Sequence, residues 1–278
     1  MSVRVFVGSQ RVDAMPVDDR GLAYGDGLFE TMLVHAGQVS WWDAHWTRLQ
    51  CGARRLRMVL PDQAQVRSEA DALFADGAGG VLKLIVTRGS GGRGYAPADT
   101  PANWMLSPHP LPITRSRDRL SLRWCATRLA TQPALAGIKH CNRLEQVLAR
   151  AEWDDPATSG HDADEGLMRS SEGDVVCAIS ANLFVLRDSR WLTPKVDRCG
   201  VEGICRGQLL PLLDAHEVRL SVADVESGDA VFLCNAVRGI LGVARLGTRT
   251  WSSHPSVAEA RRVLAPTHPG FSIDAEIS

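Results

Sequence analysis

The chain has 278 residues, 45% of them hydrophobic and 23% charged, with 31 lysines and arginines against 32 aspartates and glutamates. This is ordinary composition for a soluble globular protein, long enough for one large or two medium domains with sizeable cores. A net charge of −1 leaves no bulk field to recruit nucleic acid or an anionic membrane, so neither is expected as a partner, and a small anionic ligand would need local arginine sites.

Val3, Val5 and Val7 alternate with other residues, Gly8-Ser9-Gln10 turns the chain and 11–15 returns, which predicts a hairpin. Gly21, Gly25 and Gly27 permit tight backbone before an apolar strand over 29–35. A second turn at Ala36-Gly37-Gln38 leads to a return strand over 39–41. Asp43 or Ser40 could cap the next helix, with Leu49, Ala53 and Leu56 on one face and Arg48 beside that face near the helix start. A further helix is expected over 64–74. A buried-type strand over 81–87 runs into RGSGGRGY, residues 88–95. That run lacks the GxxxxGK[ST] order, and Pro97 and Pro101 forbid a following helix, so it is no nucleotide P-loop. A plain hairpin tip and a flexible loop presenting Arg93 and Tyr95 to an anionic substrate both remain open.

A short strand is expected over 104–107. Prolines at 108, 110 and 112 make 108–115 an extended linker and the best domain boundary. Beyond it, strands are expected over 120–125, 165–169, 175–179, 182–186, 191–193, 218–220, 230–234 and 240–244, with a polar loop over 156–162. A helix opens at Gly200–Gly203, contains Ile204, Leu209 and Leu210, and is kinked or ended by Pro211. A closing helix covers 257–264. In the strand over 175–179, period two puts Val175, Cys177 and Ile179 on one face and Val176 and Ala178 on the other. The cysteines at 51, 125, 141, 177, 199, 205 and 234 fit neither a zinc pattern nor a disulfide framework, so reduced thiols in a cytoplasmic protein, and no metal, are expected. MSVRVFVGSQ has no long apolar core, and no stretch is long enough to span a membrane.

The stretch AGIKHCNRLEQVLAR, residues 136–150, holds Lys139 on a short turn before a helix. Asn142 is a plausible N-cap with Glu145 three residues later, and Leu144, Val147, Leu148 and Ala151 repeat on one apolar face. Beside a packed helix, the amine of Lys139 could be positioned and partly desolvated for covalent chemistry. From these residues alone, a solvated lysine is the ordinary reading.

GIKHCNRLEQVLAR, YGDGLFETM, HWTRL, RGSGGRGY, and ADEGLMRSSEG followed by SANLF, together resemble the fold-type IV pyridoxal-phosphate enzymes. That group holds branched-chain and D-amino acid aminotransferases and 4-amino-4-deoxychorismate lyases. RGSGGRGY followed by LAGIKHCNRLEQVL is most similar to the lyases. The resemblance spans most of the chain and implies a mixed α/β, two-domain fold. A smaller N-terminal α/β domain would occupy 1–112. A larger C-terminal domain, 113–278, with a mainly β, barrel-like core, would carry the Schiff-base lysine. It implies pyridoxal 5'-phosphate as cofactor, carried by Lys139, which also shuttles protons. Arg48 and the backbone amides of Ile204 and Cys205 would hold the cofactor phosphate, as suits a guanidinium fork and a helix N-terminus. Arg93 and Tyr95 would lie near substrate carboxylates, Asn182 would be mainly structural, and the enzyme would be a homodimer acting on a small anionic substrate.

One departure stands out. The family's acidic residue at the cofactor's ring nitrogen falls at Cys177, a weak hydrogen-bond donor at best or merely a small packed hydrophobe. The implied reaction is elimination of pyruvate from 4-amino-4-deoxychorismate to give 4-aminobenzoate for folate synthesis. The alternatives are a D- or branched-chain amino acid aminotransferase, or, because of Cys177, a non-catalytic cofactor-binding relative.

Overall fold

The structure, a computed structural model, describes residues 2–97, 99–112, 119–154 and 163–271. The chain divides into two compact units, Met1–Pro112 with Ile138–Asn142, and Ile113–Gly137 with Arg143–Ser278. The polar loop expected over 156–162 and part of the expected linker, 113–118, lie outside the described residues; Pro108 and His109 still belong to a strand.

In the first unit the elements run β1 (Arg4–Val7), β2 (Gln10–Val12), α1 (Arg20–Tyr24), β3 (Gly27–His35), β4 (Gln38–Val39), α2 (Trp42–Leu56), α3 (Gln63–Leu73), β5 (Gly80–Thr87) and β6 (Asn103–His109). The strands form one antiparallel sheet in the order β2-β1-β6-β5-β3-β4. Period two puts Leu28, Glu30 and Met32 of β3 on one face with Leu82, Leu84 and Val86 of β5, and with Trp104 and Leu106 of β6. All are buried, and Phe6 stacks on Trp104 at 3.9 Å between ring centroids. Trp46, Leu49 and Ala53 of α2 are buried in the same unit. Gly52 lets the helix come close: a Cβ there would sit 2.9 Å from a Leu28 methyl. Neither Ser40 nor Asp43 caps α2. Ser40 is fully buried, Asp43 lies in the first turn, and Trp41 occupies the cap position in the left-handed region at φ 51°. Arg48 sits mid-helix, not near the start. The helix α1, absent from the sequence-based expectation, is capped by Asp19, which accepts from Leu22 N–H at 3.1 Å, and stops at Gly25 with φ 65°.

The second unit holds β7 (Leu120–Leu129), α4 (Leu144–Ala151), β8 (Glu165–Ser170), β9 (Val175–Ala178), β10 (Asn182–Arg187), β11 (Arg190–Pro194), α5 (Ile204–Leu212), β12 (His216–Val218), α6 (Val222–Glu226), β13 (Ala230–Asn235), β14 (Gly239–Leu246), β15 (Arg249–Thr250) and α7 (Pro255–Leu264). Its sheet runs β12-β11-β10-β13-β14-β7-β8-β9, with β15 on β14. The pairs β11–β12, β14–β7 and β7–β8 are parallel. One core gathers Leu122, Leu167, Leu183, Val185, Leu233 and Leu241, and a second gathers Cys125, Leu129, Ala149, Met168, Val176, Cys177 and Val196.

Three expectations around Lys139 are corrected. First, Ile138–Asn142 clusters with the first unit instead of travelling with the second domain, because Phe29 N–H donates to the Lys139 carbonyl and Cys141 N–H to the Gly27 carbonyl, both at 2.9 Å. Second, Asn142 and Glu145 form no capping box. Arg143 takes the cap position of α4; Asn142 instead donates to the Gly25 carbonyl at 3.1 Å, and Glu145 accepts from Ala130 N–H at 2.7 Å. Third, the apolar stripe of α4 is not packed against the described residues. Leu144, Val147 and Leu148 are 75%, 58% and 59% exposed, and Ala149 is the residue that α4 buries.

Candidate active site

In the first unit the Lys139 segment lines the edge of β3 away from β5, closed by a bridge between Leu28 and His140. The backbone of Lys139 is thereby fixed by the sheet and not by its helix. Its Nζ lies 4.3 Å from the centroid of the Phe29 ring, with Lys83 Nζ 5.5 Å from the same ring. A cation over an aromatic face is held by the ring quadrupole, which directs the amine.

Arg48 reaches from α2 to β3. Its Nε donates to Glu30 Oε1 at 2.9 Å and its Nη2 to Glu30 Oε2, a two-pronged carboxylate pair. His45, one turn earlier, contacts the same carboxylate through Nδ1 at 2.7 Å, so Nδ1 carries the proton and donates. Glu30 and His45 are almost wholly buried. Burial alone would raise the Glu30 carboxyl, but Arg48 and His45 more than offset it and hold the pKa down at about 2. The imidazole of His45 is lowered, by burial first and then by the charges of Arg48 and Lys139, against the upward pull of Glu30. Lys139, His45, Glu30 and Arg48 are thus one coupled group. Glu30 and His45 were not singled out from the sequence, although a lone carboxylate in the apolar run LFETML was a visible signal, since buried acids occur almost solely in pairs.

Arg93 and Tyr95 lie on the loop after β5, both exposed, Tyr95 at 87%. Arg20 organises that loop, donating to the carbonyls of Gly94, Tyr95 and Ala96 at 3.0 to 3.4 Å while its Nε pairs with Asp26 at 3.0 Å. Tyr24 stands 5.5 Å from Tyr95, ring to ring.

In the second unit α5 begins at Gly203 with no side-chain cap, so its first amides, Ile204 and Cys205 among them, keep the outward N–H groups of a helix N-terminus. Asn182 fixes the approach to that end, donating to the Val201 carbonyl at 2.9 Å. A Cβ on Gly203 would lie 2.0 Å from Asn182 Oδ1, so only glycine fits. The Cys205 thiol, hydrogen-bonded to Cys234 and fully buried, is raised well above its ordinary value.

Cys177 is packed among Cys125, Ala149, Met168 and Val196, and burial pushes its thiol up to about 12. It is therefore a neutral thiol. The simple alternation expected for β9 fails. Met168 faces Cys177 and Arg169 faces Val175, which leaves Val176 as a bulge; Val176 shares the Cys177 core while Val175 and Ala178 enter the other. Among the described residues no group of three or more histidine, cysteine or acidic side chains could hold a metal ion.

The sequence profile of the amino-transferase class IV family matches residues 27–246. Aminodeoxychorismate lyase of Vibrio harveyi is 34% identical over 242 residues, 83% of this chain and 86% of that protein. The structure superposes on 4-amino-4-deoxychorismate lyase of Pseudomonas aeruginosa with a TM-score of 0.84 and 41% identity, covering 94% of this chain and 98% of that one. A PLP-bound hypothetical aminotransferase from Mycobacterium tuberculosis shares the fold at 21% identity and a TM-score of 0.79, covering 95% and 98%. With the match running from the first residue of β3 to the last of β14, the chain belongs to the class IV amino-transferase family and has its two-domain, fold-type IV architecture.

Proposed function

We propose that this chain is a pyridoxal-phosphate-dependent lyase that eliminates pyruvate from 4-amino-4-deoxychorismate, leaving 4-aminobenzoate for folate synthesis. The observation that carries the reading is its likeness, at 34% and 41% identity over most of the chain, to two lyases of that name. The residues fit the cofactor. Lys139 offers an amine on sheet-anchored backbone, Arg48 a guanidinium aligned by Glu30, and α5 a set of uncapped amides suited to a phosphate. When bound, pyridoxal 5'-phosphate supplies an aldehyde for the substrate's amine and a sink for the electron pair of a broken carbon–hydrogen bond.

Lys139 would hold the cofactor and, once its amine is freed, take the proton from the ring carbon that bears the substrate nitrogen. The neighbouring ether bond breaks, pyruvate leaves, and the ring becomes aromatic. Arg48 and the amides of Ile204 and Cys205 would fix the phosphate, while Arg93 and Tyr95 would approach substrate carboxylates. The neutral thiol of Cys177 cannot keep a pyridine nitrogen protonated as a carboxylate would, which handicaps transamination more than elimination, since aromatisation drives the latter.

Incubating the holoenzyme with aminodeoxychorismate should release 4-aminobenzoate and pyruvate in equal amounts. Amino-group transfer from D-alanine or branched-chain amino acids without those products would replace this reading by an aminotransferase. We also propose a homodimer in the cytoplasm. The solvent-facing stripe of Leu144, Val147 and Leu148 supports the dimer, which light scattering should read as twice the chain mass. No helix among the described residues is long and apolar enough to cross a membrane.

A further inference from the structure

The β13–β14 connection, Asn235–Gly239, carries an arginine whose hydrogen-bonding capacity the described residues leave largely unused. Asn235 shapes the turn, its Oδ1 accepting from Val237 N–H at 3.0 Å and from Arg238 N–H at 2.8 Å. Its Nδ2 reaches the Ser180 carbonyl at 3.4 Å, tying this turn to the β9–β10 turn. Arg238 Nη2 lies 3.3 Å from Ser180 Oγ and 3.8 Å from Glu165 Oε2. The second distance is too long for a hydrogen bond. Glu165, nearly buried, is already engaged: Ser180 Oγ–H donates to it at 2.5 Å and Gly166 N–H at 3.1 Å. Among the described residues Nε and Nη1 of Arg238 have no hydrogen-bond partner, and the side chain is 23% exposed. Arg20 and Arg88, by contrast, each make four hydrogen bonds.

The location gives this free fork a meaning. Asn182 pairs with Cys234, so Ser180 and Asn235 flank one strand pair. Asn182 in turn touches Gly203 at the uncapped start of α5. Arg238 therefore stands at the same end of the second unit as the amides assigned above to the cofactor phosphate.

We propose that Arg238 is a substrate-binding residue that takes one carboxylate of the dicarboxylate substrate on its open edge, with Ser180 and Glu165 as positioning residues that aim the guanidinium. This rests on the lyase reading above. Nη2 carries two N–H groups and gives one to Ser180, so one fork of the planar guanidinium, Nη2 with Nε or with Nη1, stays open to a carboxylate, and the 3.8 Å reach to Glu165 Oε2 holds the charge in place without satisfying it. A structural ion pair would instead show a direct Arg238–Glu165 hydrogen bond and a satisfied guanidinium.

Arg238→Gln and Arg238→Lys holoenzymes test this by two readouts. With aminodeoxychorismate, Arg238→Gln should raise KM roughly ten- to a hundredfold, the effect of losing one charge-assisted contact, with kcat within a few-fold and Arg238→Lys recovering part of the loss. Calorimetric titration with chorismate, which has both carboxylates but no amine to react, should show the same weakening. The cofactor absorbance should not change. An unchanged KM and chorismate affinity in Arg238→Gln would overturn the proposal, as would loss of bound cofactor, which would make the residue structural. If the wild type binds chorismate through Arg238 yet releases no 4-aminobenzoate, the lyase reading fails and this assignment stands.

Discussion

The two units differ in what surrounds the residues singled out in each. In the first, charge is taken inside and matched: Glu30 by Arg48 and His45, Asp26 by Arg20 and Arg88, and Asp19 by Thr87 and Asn103 through hydrogen bonds of 2.5 and 2.8 Å. Burial raises Asp26, yet its two arginines bring the net shift below the ordinary carboxylate value. In the second unit Arg206 and Glu165 are also buried with partners, Glu217 and Ser180, but the core around Cys177 is neutral. Cys125, Cys177 and Cys199 sit in or against one core, with thiols raised by burial to about 12, 12 and 11. Around Lys139 and Arg48 the first unit sets fixed, paired charge, and around Cys177 the second unit sets an apolar core.

Lys139→Ala tests the first half most severely. Both cofactor attachment and proton transfer depend on that amine, so turnover should fall by several orders of magnitude, read as 4-aminobenzoate release at saturating cofactor. A loss of less than tenfold would move the chemistry elsewhere.

Next in size is the phosphate anchor. Arg48→Ala should weaken pyridoxal-phosphate binding about ten- to a hundredfold, measured by titrating the apoenzyme, since one charge-assisted contact is worth roughly 1.5–3 kcal/mol. Wild-type affinity would remove Arg48 from the phosphate. Glu30→Gln, which loosens the guanidinium without deleting it, should have a smaller effect on affinity and a distinct effect on acid stability. With a folded pKa of about 2 against 4.5, the Glu30 carboxylate contributes stability that is full above its unfolded value and lost as pH falls from about 4.5 to 2. Linkage puts that contribution on the order of 3 kcal/mol, so chemical unfolding across that window should be less pH-dependent in Glu30→Gln than in the wild type. Equal slopes would contradict the pairing.

The smallest expected effect concerns the neutral surround. Cys177→Glu forces a larger, ionisable group into a filled core, so the melting temperature should drop. In the protein that remains folded, amino transfer should rise relative to elimination. Equal changes in both activities would show that Cys177 only packs.

What the sequence made legible follows from what each pattern encodes. Apolar runs such as 81–87 and 182–186 became strands within a residue or two at each end, because length and β-branched content leave few alternatives. The stripe on α4 is the periodic apolar face that the sequence implies, but the described residues leave it open; periodicity states that a face is to be covered and never by what. The facing of Val175 was lost to a bulge, which adds one residue and leaves no mark in the alternation. Lys139, Arg48 and Cys177 stood out because they sit in motifs. Glu30 and Arg238 did not, because their roles come from partners at distant sequence positions, Arg48 on α2 and Ser180 on the β9–β10 turn.

The central claim, that this chemistry is built on Lys139, is open to one direct measurement. The lysines of the chain are Lys83, Lys139 and Lys195, and Lys83 and Lys139 both stand over the Phe29 ring. Borohydride reduction of the holoenzyme, digestion and mass mapping should find the phosphopyridoxyl group on the peptide containing Lys139. Finding it on Lys83 or Lys195 would contradict the account.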